Sequence, residues 1–397
     1  MSFKKIIWSN FKKKSENDVL CLSKKDINHL ARVAKTYNIE PESLDEIHLN
    51  YVLDRGKNFR FIIKECDYLL KKTGIIKIKS VNGWIRFRKK SFFLHSLYLR
   101  SYSQIKHEFS ICTQDRYIQI SEHADKNSSI INPFKLTYRK NQNSLNPSDS
   151  IDCITFGIIT NGANNEGLIK LLNSIIKLDI PNFEIIICGG TIGEEFNQNI
   201  KLLKDVDLID DDIRAPITKK KNEIVKQANF ENIFLLHDRY YFDENWYTKM
   251  VDYGNYFDVL LFPNLNDENR RMNDYTNFKG NPSEINYNFI STLNYTSKSN
   301  DFYCQGGALL IKKYWYNLNK LDDNLYWQEL EDVQFSKLLA LKGACFFIDI
   351  KNPIYTKSSR LGGIKANSKF TIIKEVGLRF IMLIVQIYYY EVYKRRG

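Results

Sequence analysis

Two stretches of the chain put ionisable side chains where an ordered backbone would hold them. The first is Phe234-Leu235-Leu236-His237-Asp238-Arg239-Tyr240, an apolar run that ends abruptly in polar and charged groups. In nucleotide-using α/β enzymes, a buried strand that delivers an acid to its carboxyl end positions a phosphate or metal contact. Taken alone, a solvated strand end explains the same pattern. The second stretch is Glu331-Asp332, followed by Val333, Phe335, Leu338 and Leu339 at helical spacing. That spacing predicts a helix whose first turn holds both acids, where the helix dipole favours ionised carboxylates. An acid so placed can accept a proton from a hydroxyl within hydrogen-bond reach, or simply cap the helix.

The elements that must position these groups are legible from periodicity. After residue 151, strand-like runs alternate with helical ones: Cys153 to Thr160, a helix over Glu166 to Leu178, Glu184 to Cys188, a helix over Thr218 to Ala228, and Ile233 to Leu236. Such alternation implies parallel strands joined by helical crossovers, with ligands on the loops after Thr160, Cys188 and Leu236. The polar stretch 137–151, with Asn, Ser and Pro and almost no apolar periodicity, marks a domain boundary. Before it, a strand over Ile47 to Leu53, a helix over Phe59 to Lys72, Thr73-Gly74 and a strand over Ile75 to Ile78 form a β-α-β unit. The organisation expected is an N-terminal α/β domain over 1–148, a larger α/β domain over 149–362 and a helical tail over 363–397.

Composition narrows the class. The 397 residues are 43% hydrophobic, 26% charged and 14% aromatic, which excludes disordered, collagen-like and disulfide-scaffold chains. The net charge of +12 accompanies heavy use of Lys, Asn, Ile and Tyr and no nucleic-acid reading element, so nucleic acid is not an expected partner. Seven scattered cysteines with no CxxC pair exclude a zinc site or disulfide framework and point to a reducing, cytoplasmic compartment. The N-terminal apolar run, Ile6 to Trp8, is too short for a secretory leader. Near the other end, Phe380 to Ile387 is too short to span a bilayer. With Lys394, Arg395 and Arg396 behind it, that segment reads either as an interfacial helix on anionic lipid or as a helix docked on the core.

Residues 153–246 resemble the nucleotide-binding half of family 2 glycosyltransferases, which have the GT-A fold. Thr155 to Asn161 looks like that family's first strand and its turn, with Thr160 and Asn161 against the nucleobase; Pro181 to Ile187 looks like its second strand. Lys221-Asn222 falls where the family has Arg-Asn, His237-Asp238-Arg239 where it has Asp-x-Asp, and Trp246 matches a tryptophan downstream. The resemblance continues through Gly306-Gly307 and Trp327-Gln328-Glu329-Leu330-Glu331-Asp332, similar to the family's Gly-Gly turn and acceptor element. It covers roughly 151–360, with the elements in the family's order. It implies a nucleotide-sugar co-substrate and a single inverting displacement at the anomeric carbon, with Asp332 as base and Glu331 as its rival. The implied acceptor is a glycan or lipid-linked hydroxyl, with Trp327 stacking on a sugar face.

The departures from the family matter as much. Its second strand usually ends in an aspartate, whereas this one ends Cys188-Gly189-Gly190, so backbone N–H groups must replace a carboxylate. The metal motif keeps Asp238 as its only acid, with His237 as a nitrogen ligand; if a divalent cation binds, that pair favours manganese over magnesium. The family's late histidine ligand cannot exist, because all six histidines lie at or before position 237. Arg239 and the basic loop Lys357, Arg360 and Lys365 around Gly362-Gly363 are therefore expected to replace the metal in part and to close over the diphosphate, although solvated surface charge explains each lysine equally well. The lost carboxylates also fit a lapsed transferase fold that binds sugar without turnover.

In the N-terminal region, residues 45–79 resemble the second half of a class I methyltransferase domain. That family cradles its cofactor on a glycine-rich turn after the first strand, and no glycine occurs upstream of residue 45. The segment is expected not to bind S-adenosylmethionine and to serve as a packing or docking module.

Overall fold

A computed structural model describes residues 4–9, 19–23, 33–50, 52–53, 59–83, 101–124, 131–141, 149–189, 200–203, 215–278, 290–295, 302–327 and 329–357. The expectations for Gly190, Arg360, Lys365 and the tail over 363–397 lie outside these residues.

The first domain is built from β1 (Lys5–Ser9), β2 (Val19–Ser23), α1 (Val33–Thr36), β3 (Leu44–Asn50), α2 (Phe59–Leu69), β4 (Leu70–Gly83), α3 (Tyr102–Thr113), β5 (Tyr117–Ala124) and β6 (Ile131–Lys140). Its six strands run in the order β2-β1-β3-β4-β6-β5, all parallel except β6. The expected β-α-β unit is β3-α2-β4. The helix ends at Leu69, three residues earlier than periodicity implied, because Leu70 is buried and pairs with Leu44 across a register irregularity in β3.

The second domain continues with β7 (Cys153–Ile159), α4 (Asn165–Ile176), β8 (Asn182–Cys188), β9 (Ile200–Leu203), α5 (Ile217–Gln227), β10 (Asn232–His237), β11 (Tyr240–Tyr241) and α6 (Trp246–Tyr253). There follow β12 (Val259–Leu261), β13 (Asn264–Asn266), β14 (Tyr275–Phe278), β15 (Ile290–Thr292), β16 (Phe302–Cys304), β17 (Ala308–Lys312), α7 (Lys313–Leu318), α8 (Glu331–Leu341), β18 (Phe346–Ile348) and β19 (Ile354–Thr356). Seven strands form the main sheet in the order β18-β12-β17-β10-β7-β8-β9. Only β17 runs antiparallel, so the sheet is mainly parallel as expected. Burial on both faces makes β10 an unbroken apolar run: Phe234 and Leu236 enter one core, Ile233 and Leu235 the other. Two α/β domains result, each with a mixed sheet flanked by helices.

The two domains meet through buried polar and aromatic pairs. Lys64 on α2 bonds Asp258 before β12 at 2.9 Å, and Asp258 also accepts from the Cys345 amide at 2.8 Å. Tyr256 donates to Asp67 at 2.9 Å while its ring stacks on Tyr68 at 4.5 Å. Among the described residues, no helix is long and apolar enough to cross a membrane.

Candidate functional site

The carboxyl ends of β7 and β10 converge on a cleft of about 620 Å³. Thr160 follows β7, and its hydroxyl donates to Asp238 Oδ2 at 2.6 Å, tying two strand ends together. Asn164 caps α4 by accepting from the Gly167 amide at 3.3 Å, and its Nδ2 donates to the Asp238 carbonyl at the same distance. Asn161 folds its own loop, accepting from Ala163 N at 3.0 Å. The motif after β10 is thus held from the β7–α4 turn, which fixes where its charges sit.

Of the residues singled out from sequence, Thr160, Asn161, His237, Asp238, Arg239, Trp327 and Lys357 line this one cleft. Trp327 is 45% exposed, and its amide is anchored on the Ala215 carbonyl at 3.1 Å. The Lys357 amide donates to the Arg239 carbonyl at 3.2 Å, while its ammonium pairs with Glu166. Gly189 takes φ +89, a left-handed value that suits glycine, at the end of β8. Asn222 is spent on structure: its amide donates to the Leu321 carbonyl at 2.8 Å and to Asp323 at 2.7 Å, and its Oδ1 accepts from the Tyr316 hydroxyl at 2.7 Å. Trp246 is fully buried among Phe234, Phe242 and Phe262.

Gly306 and Gly307 form the wall between the cleft's charges and the acid pair. A methyl group on Gly307 would come 3.1 Å from Arg239 Nη2 and 2.8 Å from the Tyr240 hydroxyl; one on Gly306 would come 3.3 Å from Glu331 Oε1 and 3.2 Å from Lys221 Nζ. Lys221 donates to the Gly306 carbonyl at 2.7 Å, and the Gly306 amide donates to Asp332 Oδ2 at 3.2 Å. The Val333 amide donates to Asp332 Oδ1 at 2.8 Å. Both acids begin α8, as periodicity implied. Burial, then the neighbouring Asp332 charge, pushes Glu331 above the usual carboxylate range. Burial likewise raises Asp332, partly offset by the Gly306 amide and Lys221. Burial lowers Lys221, against the pull of both acids.

His237 and Arg239 flank Asp238 in a different condition. Burial, with Lys221 and Arg239 nearby, holds His237 well below its ordinary value, so its ring is neutral. His237 Nε2 and Arg239 Nε are buried without a hydrogen-bond partner, each a cost of about 1–3 kcal/mol that a ligand acceptor would relieve. Among the described residues, no three of His, Cys, Asp and Glu come together to hold a metal ion. Asp238 is engaged by Thr160, and the neighbouring charges are cationic. The expected pair, His237 and Asp238, therefore does not fit a divalent cation, which wants several oxygens.

The sequence reading missed Lys220. This buried lysine lines the cleft and donates to the Thr160 carbonyl at 2.8 Å, whereas its neighbour Lys221 serves the Gly306 turn. The available signal was the helical pattern of α5, which rotates consecutive side chains by about 100° and so cannot send both lysines to one place. In the loop between β13 and β14, the Tyr241 hydroxyl donates to Asp267 at 2.6 Å, Arg270 pairs with Glu268, and Arg271 grips Asp274.

No family model matches the chain, and no curated protein matches it. Among solved structures it is similar to S. aureus TarS 1-349, with 18% identity over 51% of this chain and 60% of that one and a TM-score of 0.36. The full TarS structure matches at 18% identity over 52% of this chain and 37% of that one, with the same TM-score of 0.36. TarS 1-349 in complex with UDP-GlcNAc matches at 18% identity over 54% and 61%, again at 0.36. The chain thus spans less than two thirds of these structures, between 37% and 61% of their length.

Proposed function

We propose that the chain is a glycosyltransferase that moves a sugar from a nucleotide-sugar donor to a hydroxyl of a glycan or lipid-linked acceptor, with inversion and with Asp332 as base. The observation that carries this reading is the shared wall at Gly306-Gly307, with Arg239 packed on one glycine and the Glu331–Asp332 pair on the other. Chemistry at an anomeric carbon needs such a juxtaposition: positive charge for the departing diphosphate, and a carboxylate for the incoming hydroxyl.

In this reading Thr160, Asn161 and the Gly189-Gly190 turn border the nucleoside, Lys221 and Asn222 fix the Gly306 turn and its surroundings, and Arg239 faces the diphosphate. Lys357, Arg360 and Lys365 form the basic lid, and Trp327 stacks on a sugar at the mouth. Backbone N–H groups orient Asp332 through one lone pair on each oxygen, leaving the others to accept the hydroxyl proton. Glu331, less anchored and raised by burial, is the reserve candidate. In this reading the enzyme works in the cytoplasm, at the inner face of the membrane when the acceptor is lipid-linked. The N-terminal domain, methyltransferase-like without the cofactor turn, acts as a packing or docking module.

The experiment is incubation of the purified chain with UDP-, GDP- and CMP-sugars, following nucleotide release and testing donor binding by thermal shift. A base-selective shift with slow release of the nucleotide supports the reading; no shift with any donor sinks it. Both Asp332 oxygens already accept from backbone N–H groups, and this favours one second reading, a sugar-binding protein without turnover. Donor binding with no release under any acceptor would select it.

A further inference from the structure

The cleft has the wrong charges for a divalent cation and the right ones for a bare diphosphate. Among the described residues lining it, Asp238 is the one carboxylate, against Lys220, Arg239 and Lys357, the last of them paired with Glu166 outside the lining. That carboxylate is engaged: its Oδ2 accepts from the Thr160 hydroxyl at 2.6 Å. On either side of it in sequence, His237 Nε2 and Arg239 Nε are buried with no hydrogen-bond partner. A buried donor without an acceptor is a site that lacks its complement. Two of them in one cationic cleft describe an anion presenting several oxygens.

Building on the nucleotide-sugar reading above, we infer that the cleft binds the donor's diphosphate directly through Arg239, His237 and Lys220, with no divalent cation between protein and ligand. Arg239 supplies the planar fork that matches phosphate oxygens in pairs. His237, in its Nε2–H tautomer, adds a neutral donor. Lys220, tethered to the Thr160 carbonyl at 2.8 Å, adds fixed positive charge. Gly307 keeps room for the guanidinium, since a side chain there would come within 3.1 Å of Arg239 Nη2. These groups would neutralise the charge that builds on the leaving diphosphate as the glycosidic bond breaks, without a metal ion.

The test is calorimetric titration of the 397-residue chain with UDP, GDP and inorganic pyrophosphate, once in excess EDTA and once with manganese. The expected result is binding in EDTA with a Kd within about threefold of that in manganese. Arg239→Ala should weaken binding in EDTA by about tenfold or more, and Arg239→Lys should restore only part of it. The wild-type comparison needs no variant, and unliganded melting curves check that both variants are folded. Binding seen only with manganese, or folded Arg239→Ala with unchanged affinity, overturns the inference and leaves the glycosyltransferase reading standing. Pyrophosphate binding in EDTA with no nucleotide binding keeps the anion site and sinks the nucleotide-sugar reading. No binding of any probe in either buffer overturns both.

Discussion

The two sheets share a design, five or six parallel strands with one antiparallel strand inserted, yet they treat buried charge in opposite ways. Among the described residues of the first domain, the buried charges Lys64, Glu65, Asp67 and Lys140 all have partners. Asp67, 1% exposed, accepts from Tyr117 and Tyr256, each at 2.9 Å, and pairs with Arg116 and Lys140. Burial alone would raise its pKa; Arg116, Lys140 and Lys64 overcome that and hold it below its ordinary value. In the second domain, the end of β10 leaves Arg239 Nε and His237 Nε2 unpartnered, and the start of α8 buries two adjacent carboxylates, both raised by burial and Glu331 further by the Asp332 charge. Charges that only stabilise are satisfied within the protein. Charges left unsatisfied or strained against each other need something the protein itself does not supply.

That contrast is broken or sharpened by substitution. The largest effect is expected at Asp332: Asp332→Asn should cut turnover by about 10²–10⁴ with donor affinity nearly unchanged, measured by steady-state kinetics beside donor titration. Unchanged turnover would move the base to Glu331. Next comes Asp67→Asn, which leaves Arg116 and Lys140 without their buried counter-charge and should cost about 3–5 kcal/mol in urea unfolding. Arg239→Ala should destabilise by no more than about 1 kcal/mol, since it breaks no hydrogen bond or ion pair, and the cation–π contact with Tyr240 at 5.4 Å that it loses is offset by removal of a buried unpartnered donor. If the two variants destabilise equally, the division between paired and unpaired charge fails.

Much of this was legible from sequence, and the exceptions share a cause. Strands β7, β8 and β10 show themselves as apolar runs because burial on both faces leaves no alternation to misread, and α8 shows itself because Phe335, Leu338 and Leu339 follow Val333 at helical spacing, although Leu338 is exposed. The pairing of acids at Glu331-Asp332 needed only sequence adjacency. Asp67 was invisible as a hub: its partners Arg116, Tyr117, Lys140 and Tyr256 arrive from distant segments, and nothing local in α2 signals them. The antiparallel direction of β17 was hidden for the same reason, since an apolar run such as Ala308–Lys312 fits either direction and the connection decides. Asn222 illustrates the converse, where a motif position was legible but its side chain's partners, Leu321 and Asp323, were not.

The raised acid pair and the lowered Asp67 predict opposite responses to pH. For the base to act it must be ionised, and its pKa lies above the usual carboxylate range, so turnover should fall by about tenfold per unit once pH drops below the pair's upper apparent value. The same raised values mean that the pair binds protons more readily folded than unfolded. Its contribution to stability is therefore fully present at low pH and is lost as pH rises through the folded value. Asp67 behaves the other way: its contribution is present above the unfolded carboxylate value and disappears only as pH falls through its lowered folded value. Activity should thus decline on mild acidification while the melting temperature holds. A melting curve that falls in step with activity would show that the loss is unfolding, not protonation of the base.

The smallest effect expected is at Trp327, which is exposed where Trp246 is buried. Trp246 fills the core between β10 and α6, and Trp246→Ala should cost about 3–5 kcal/mol of stability through the cavity it leaves. Trp327 stands 45% exposed at the cleft mouth, held by one backbone hydrogen bond to Ala215 that survives side-chain truncation. Trp327→Ala should therefore leave unfolding within about 0.5 kcal/mol of wild type. Losing one stacking face worth about 0.5–1.5 kcal/mol should raise KM by about threefold to tenfold, with kcat nearly constant, because a sugar stacked equally in ground and transition states contributes only uniform binding. The substrate whose KM moves identifies which sugar the ring holds: donor alone places it over the transferred sugar, acceptor alone places it over the receiving glycan. A drop in kcat at unchanged KM would mean that the ring acts only in the transition state, beside the wall shared by Arg239 and Asp332.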